Sequence, residues 1–502
     1  MIVETTLGKI EGTAKEGCEQ YLGIPYAAPP VGELRFRPPA EAKPWEGIRE
    51  CKKYGHAAPQ LFVPGLTHFR GEGETPLSED CLYLNVTTPE ADEKKCPVLF
   101  WIHGGAFQKG SATLGIDELS FAKEGMVVVS CNYRLGVFGY MDLSEYLGEE
   151  YKTMANNGLL DILKALEWTR RNIAKFGGDP ENVTIAGQSA GAKTVGFLTC
   201  CRKAKGLFAR AVLLSGGVQC LRDRKTAQAV GRQFMKDAGL TKENAKELLT
   251  MPWEEIVERQ KKIFAGLNLH TVGAVFDGEN FEGRNALDIV LNKTGNNVPL
   301  MILTNRDEID LYWHVYGFRE LEQTTAERLF GDYGKLVKSD IEERLAGLDK
   351  ESEEYHRAFV YWTTEYIYRA AAVQFAAAAT DAGQPVYVCR NDWEKDNCDS
   401  SGTKYLACHG SESQFLFNSG SVKAPSSPEH DLQARLMREA VMNFMKEGRP
   451  YAEGLPVWPR FTSGSRQMMV FNGEGHVERS ELPQTDPRMP HQVIWMHGQK
   501  ED

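Results

Sequence analysis

The stretch Gly187-Gln188-Ser189-Ala190-Gly191 constrains this chain more than any other. It follows the β-branched run Val183-Thr184-Ile185-Ala186 and precedes a helix-compatible segment from Ala192 onward. In that context G-x-S-x-G marks a sharp strand-to-helix turn that lifts a serine hydroxyl out of a sheet. Glycines two residues to either side remove side chains that would collide there. The leading reading is a nucleophilic Ser189 at the carboxyl end of a strand.

Further apolar runs extend that strand into a sheet. Val98 to Ile102, Met126 to Cys131, Val183 to Ala186, Ala211 to Leu214, Leu300 to Leu303 and Val386 to Cys389 read as buried parallel strands. Leu159, Ile162, Leu163, Leu166 and Ile173 follow helical spacing, and Ala370 to Ala379 reads as a packed helix. Strands alternating with helices predict an α/β fold, a mostly parallel sheet covered by helices on both faces. Ligands then sit beyond the carboxyl ends of the strands, where Ser189 lies. No repeat or low-complexity linker divides the chain, so residues 1–502 are read as a single domain.

Composition narrows the partners. Among 502 residues, 42% are hydrophobic and 25% charged, as in ordinary globular proteins. A net charge of -11 argues against nucleic acid or an anionic membrane as partner. No apolar run reaches the length of a membrane span. The N-terminus, Met1-Ile2-Val3-Glu4, has no secretory pattern. The 11 cysteines lack C-x-x-C spacing and read as reduced, mostly buried thiols, which points to a cytoplasmic protein. No His/Cys cluster has zinc spacing, so no metal is expected. The sequence assigns no oligomeric state.

A serine hydroxyl needs a base to take its proton, a third group to orient that base, and donors for the oxyanion that forms. The donors come from Trp101-Ile102-His103-Gly104-Gly105-Ala106-Phe107, a small-residue loop after the Val98 strand. When the turn is of the nucleophile-elbow type, acid and base follow the serine in that order. The histidines after Ser189 are His270, His314, His356, His409, His430, His476, His491 and His497. His409, followed by Gly410 and soon after the Val386 strand, is favoured by position. Glu308 directly follows the Leu300 strand, with Asp307 and Asp310 as rivals that spacing does not separate.

Longer motifs then carry a resemblance that runs nearly end to end. They include Tyr21-Leu22-Gly23-Ile24-Pro25-Tyr26-Ala27, Arg35-Phe36-Arg37-Pro38-Pro39, and Ser78-Glu79-Asp80-Cys81-Leu82-Tyr83-Leu84-Asn85-Val86. Asn132-Tyr133-Arg134, Phe176-Gly177-Gly178-Asp179-Pro180-Glu181-Asn182 and Val457-Trp458-Pro459 follow. The chain resembles the type-B carboxylesterases, α/β-hydrolases that include para-nitrobenzyl esterases and cholinesterases. The resemblance implies that Glu308 is the acid and His409 the base. It places the oxyanion donors on the N–H groups of Gly105, Ala106 and Ala190, and it puts Ser215 and Glu412 behind the histidine. It implies no cofactor.

Several positions depart from the family pattern. Ala58 stands where a cysteine often bonds the counterpart of Cys81, so that disulfide is expected to be missing. Gln188 replaces a commoner Glu, Ile309 a commoner Gly, and Ala106 the third glycine of the oxyanion loop. No tryptophan lies between Ala58 and Cys81, which argues against a choline ester. The expected function is hydrolysis of small to medium carboxylic esters through an acyl-enzyme. A lipase or amidase on the same triad is the alternative, and a non-catalytic binding module ranks low. Leu61 to Pro76 and Leu267 to Phe281 are expected to shape the pocket, with Phe107, Phe276, Tyr312, Trp313 and Phe415 as candidate lining.

Overall fold

The computed structural model describes residues 1–61, 76–90, 95–264, 271–283 and 285–480. Its central sheet has 11 strands. In chain order they are β1 (Thr13–Lys15), β2 (Cys18–Pro25), β3 (Tyr83–Pro89), β4 (Cys96–Ile102), β5 (Val127–Cys131) and β6 (Gly178–Gln188). β7 (Arg210–Leu214), β8 (Leu300–Asn305), β9 (Val386–Asn391), β10 (Gln467–Asn472) and β11 (Glu474–Arg479) complete it. Across the sheet the order is β11-β10-β9-β8-β7-β6-β4-β5-β3-β2-β1. All six apolar runs are strands, and each pairs in parallel with its neighbours from β5 through β10, except that β5 pairs antiparallel with β3. The edges β1–β3 and β11 are antiparallel and were not anticipated. A small second sheet joins Ile2–Glu4, Lys9–Glu11 and Ile48–Glu50.

The central strands are apolar throughout because both faces are covered. Val183, Thr184, Ile185 and Ala186 of β6 are all fully buried. One face packs on helix α1 (Asn157–Asn172) and helix α2 (Ala190–Cys200), through Leu159, Ile162, Val195 and Leu198. On the opposite face, with Leu99, Ala186 and Leu214, lie Leu436, Met437, Val441 and Phe444 of a long helix (Pro428–Glu447). Each such fully buried side chain contributes about 1.5–3 kcal/mol relative to exposure. That long helix starts at Ser427, whose hydroxyl accepts the His430 N–H, and has Pro428 in its first turn.

Two motifs of the sequence are explained by buried ion pairs. Arg134 grips Asp161 of α1 with Nε and Nη2 at 2.8 and 2.7 Å. Arg35 pairs with Glu79 and also donates to the Leu248 and Met251 carbonyls.

The topology places a crevice. β4 and β6 are neighbours, yet the chain leaves β4 toward β5 on one side and β6 toward β7 on the other. Such a switch point opens beyond the carboxyl ends of the two strands. Gly104–Ala106 follow β4 and Ser189 follows β6, so both meet there. Among the described residues, no helix is long and apolar enough to cross a membrane.

Candidate active site

Ser189 is a single residue between β6 and α2, with φ 58° and ψ -119°. A non-glycine residue holds such a conformation only when its surroundings impose it. Here its N–H donates to the Leu214 carbonyl at 2.9 Å and its own carbonyl receives the Lys193 N–H at 3.0 Å. The glycines of the motif let the turn close on β4. A Cβ at Gly191 would stand 2.0 Å from the Ile102 carbonyl oxygen, and one at Gly187 would stand 2.5 Å from the Gly191 carbonyl carbon.

The loop after β4 is bent by positive φ at Gly105 (110°), Ala106 (55°) and Phe107 (62°). Among the described residues, the N–H groups of Gly105, Ala106 and Ala190 donate to no acceptor, while the Gly105 carbonyl is used by Gln108 and Lys109. Free amides at a helix start and a loop are the raw material of an oxyanion site. His103 is buried at the start of this loop. Its ring stacks on Tyr133 with centroids 4.3 Å apart, its Nδ1 contacts the Gly104 carbonyl oxygen at 2.8 Å, and burial pushes its pKa down to about 4.

Glu308 and His409 meet. Nδ1 of His409 lies 2.6 Å from Glu308 Oε2, and the carboxylate is fully buried. Glu308 Oε1 receives the Asn305 N–H at 2.8 Å. The segments after β8 and β9 are stitched together by Asp307 N–H to the Ala407 carbonyl at 3.0 Å and His409 N–H to the Glu308 carbonyl at 3.3 Å. Ser189 lies two strands away, at the end of β6. Among the described residues no hydrogen bond joins its hydroxyl to His409. The Nε2 of His409 instead lies 3.3 Å from the side-chain nitrogen of Gln188.

The rivals are occupied elsewhere. Asp307 turns to Arg306, with Nε at 2.9 Å. Asp310 begins helix α3 (Asp310–Tyr316); it takes the Leu406 N–H at 2.7 Å and His356 Nε2 at 2.6 Å. Asp310, His314 and His356 offer ligand atoms within 4.8 Å of one another, the one such group among the described residues. His430 lies in the first turn of its helix beside Asp431, and His476 is on the edge strand β11. His270, His491 and His497 lie outside the described residues.

Ser215 and Glu412 stand behind the pair, joined through a residue to which no role was given from the sequence. Asn305 Nδ2 donates to Glu412 Oε2 at 2.6 Å and to Ser215 Oγ at 3.0 Å, while its Oδ1 receives Asn391 Nδ2 at 2.8 Å. Asn391 in turn receives Gln433. The signal available was an amide at the last position of each of two adjacent strands. Burial first, and the charge of Glu308 second, push the Glu412 carboxyl up to about 8.

The profile of the carboxylesterase family matches residues 1–487. The chain belongs to that family. Para-nitrobenzyl esterase of Bacillus subtilis is 30% identical over 501 residues, with 97% of each chain covered. Liver carboxylesterase 1 of Oryctolagus cuniculus is 31% identical over 509 residues, covering 92% of this chain and 88% of its own. The crystal structure of the Geobacillus stearothermophilus carboxylesterase EST55 at pH 6.2 superposes with a TM-score of 0.81 at 33% identity, over 96% of this chain and 98% of that one. The architecture is the α/β-hydrolase fold.

As a carboxylesterase-family chain it accommodates its departures locally. Ile309 is fully buried at φ -73°, an ordinary helical value that needs no glycine, and its N–H donates to Thr364 Oγ1 at 3.1 Å. Cys81 is a buried free thiol, and Ala58 is buried in the same core cluster. Of the candidate lining residues, Tyr312 reaches the site, its ring 5.6 Å from that of His409. Tyr368, unanticipated, stands beside it at 5.1 Å and shares a hydroxyl contact with Tyr312 at 2.8 Å. Phe107 packs on Tyr140, Trp313 on His356, Phe276 on Phe281 and Phe415 on Trp393. Residues 62–75 and 267–270 of the expected pocket loops lie outside the described residues.

Proposed function

We propose that this protein hydrolyses small to medium carboxylic esters by two-step acyl transfer. The observation that carries the reading is the buried 2.6 Å contact between Glu308 and His409 at the crevice that the strained Ser189 faces. Ser189 attacks the ester carbonyl while His409 Nε2 accepts its proton. Glu308 holds Nδ1–H and stabilises the imidazolium. The N–H groups of Gly105, Ala106 and Ala190 receive the negative oxygen; one such donor is worth roughly 10²–10³ in turnover. The alcohol leaves with the proton from His409, and water activated by the same imidazole releases the acid. Gln188 must yield Nε2 for the first step. Ser215 and Glu412, through Asn305, keep the acid seated.

The chain, residues 1–502, is read as one domain, supported by a single sheet that draws strands from residue 13 to residue 479. Cytoplasmic residence belongs to the same reading, supported by 11 free thiols, most of them buried. The partner is a small-molecule ester rather than nucleic acid.

Turnover of p-nitrophenyl butyrate, compared with emulsified triglycerides and anilides, tests the reading. The ester is expected to be the best substrate, and Ser189→Ala to abolish its hydrolysis. Faster attack on triglyceride or anilide would reassign the enzyme as a lipase or amidase. Full activity in the variant would remove Ser189 from the mechanism.

A further inference from the structure

Four residues beyond the serine, α2 carries a lysine into the protein interior. Lys193 is only 3% exposed. Side chains of a helix lean toward its N-terminus, here toward Ser189. The ammonium lies 5.5 Å above the ring of Tyr368, the same ring that flanks His409. Among the described residues it has no carboxylate within ion-pair distance and no hydrogen bond.

A second buried cation lies on the segment after β7, which packs against α2: a Cβ at Gly216 would stand 2.7 Å from that of Ala192 and 3.2 Å from the Lys193 backbone nitrogen. Arg222 is 3% exposed, and among the described residues its Nε and Nη2 are buried without a hydrogen-bond partner. Its backbone is fixed by exchange with Ala274 and Phe276, at 2.8 Å each. Asp223, next in the chain, is turned away to cap the following helix through Thr226 N–H at 2.6 Å. Gln219 precedes Arg222 on the same segment. Its Oε1 is held by the Gly217 N–H at 2.6 Å, and among the described residues its buried amide nitrogen has no partner. Burial depresses both Lys193 and Arg222. Lys193 also feels Glu308 and Arg222.

Among the described residues, three donor groups, two of them cationic, are thus buried with no carboxylate in ion-pair or hydrogen-bond contact. Burying an unpaired charge or leaving a buried donor unmade is costly, and such costs are tolerated where a ligand offsets them. A neutral ester tail supplies nothing to these groups, whereas a carboxylate supplies up to four lone-pair sites. The distance suits a substituent rather than the reacting carbonyl. Four residues of helix raise Lys193 about 6 Å along the axis from Ser189.

We propose that Lys193, Gln219 and Arg222 form a carboxylate-accepting subsite, so that the preferred esters of this enzyme carry a second, ionised carboxylate several bonds from the scissile carbonyl. The inference rests on the esterase reading above. The carboxylate can belong to the acyl or to the alcohol half, and the two sources are separable.

The test measures kcat/KM by pH-stat at pH 7.5 for four esters. Monoethyl adipate carries the charge on the acyl side and 4-acetoxybutanoate on the alcohol side; diethyl adipate and ethyl 4-acetoxybutanoate are their neutral counterparts. At least one anionic ester is expected to exceed its neutral counterpart tenfold or more. Lys193→Met and Arg222→Met should each lower that ratio at least tenfold, with Arg222→Lys recovering part of it. Competitive inhibition of the wild-type enzyme by adipate should be at least tenfold stronger than by hexanoate, a readout that needs no variant to fold. A preference for both neutral esters, or equal inhibition by adipate and hexanoate, overturns the subsite. So does an anionic preference that both folded methionine variants retain. Turnover of p-nitrophenyl butyrate without an anionic preference refutes the subsite alone, while no turnover of any ester removes the esterase reading and the subsite with it.

Discussion

The side-chain amide of Gln188 reaches the imidazole of His409, nitrogen to nitrogen at 3.3 Å, on the ring atom that faces away from Glu308. With Nδ1–H committed to Glu308, Nε2 offers a lone pair for which the Gln188 amide and the Ser189 hydroxyl compete. One neutral hydrogen bond nets about 0.5–1.5 kcal/mol. Removing the competitor by Gln188→Ala should therefore raise kcat/KM for p-nitrophenyl butyrate by about 2- to 10-fold. A loss of activity would instead make the amide a support for the ring.

Glu308→Gln should cut kcat by about 10³–10⁴, because an amide at this place can present a donor to Nδ1 and favour the wrong tautomer. Asp307→Asn should cost less than about tenfold, since that carboxylate faces Arg306 and the Ala407 N–H. Steady-state kinetics of the two purified variants checks the ranking. The reverse order would transfer the acid role to Asp307.

The backbone of Ser189 stores strain at φ 58°. Such a conformation costs a non-glycine residue about 1–3 kcal/mol. Ser189→Gly should therefore abolish turnover yet raise the melting temperature by about 1–3 °C, whereas Ser189→Ala should abolish turnover without that gain. Calorimetry of the two inactive variants decides it. Equal melting temperatures would mean that the turn is relaxed.

Glu412 gives a pH dependence of known sign. Its carboxyl is raised in the folded protein to about 8, from an ordinary value of 4.5. Between those values the native state keeps a proton that the unfolded chain has released. Stability from this group is then full below about 4.5 and declines as pH rises toward about 8. Glu412→Gln, which is neutral throughout, should lose less stability over that interval. Urea melts of both proteins at several pH values measure the gap, which should widen with pH.

Much of this arrangement was legible in the chain because buried parallel strands have no polar face. Six short apolar runs, Val98 to Ile102 among them, therefore announced themselves without periodicity. The antiparallel edges were not legible. β1 has three residues, and β2 mixes Glu19, Gln20 and Gly23 among its apolar positions, so neither resembles a core strand. At the site, Ser189 was readable because its strain needs glycines nearby in sequence. Asn305 was not, since its work is to join Ser215 and Glu412, and that geometry exists only after three strands align. Lys193 and Arg222 were hidden for the same reason. A lysine in a helix and an arginine in a loop are ordinary until both are found buried.

The four adjacent parallel strands β6, β7, β8 and β9 deliver Ser189, Ser215, Glu308 and, after β9, His409 in the order in which a ribosome makes them. On the mechanism proposed above, a nascent chain holds its nucleophile for more than two hundred residues before the proton acceptor emerges. On that mechanism, the growing polypeptide stays inert toward esters around it until the final fifth of synthesis, however early its sheet begins to assemble.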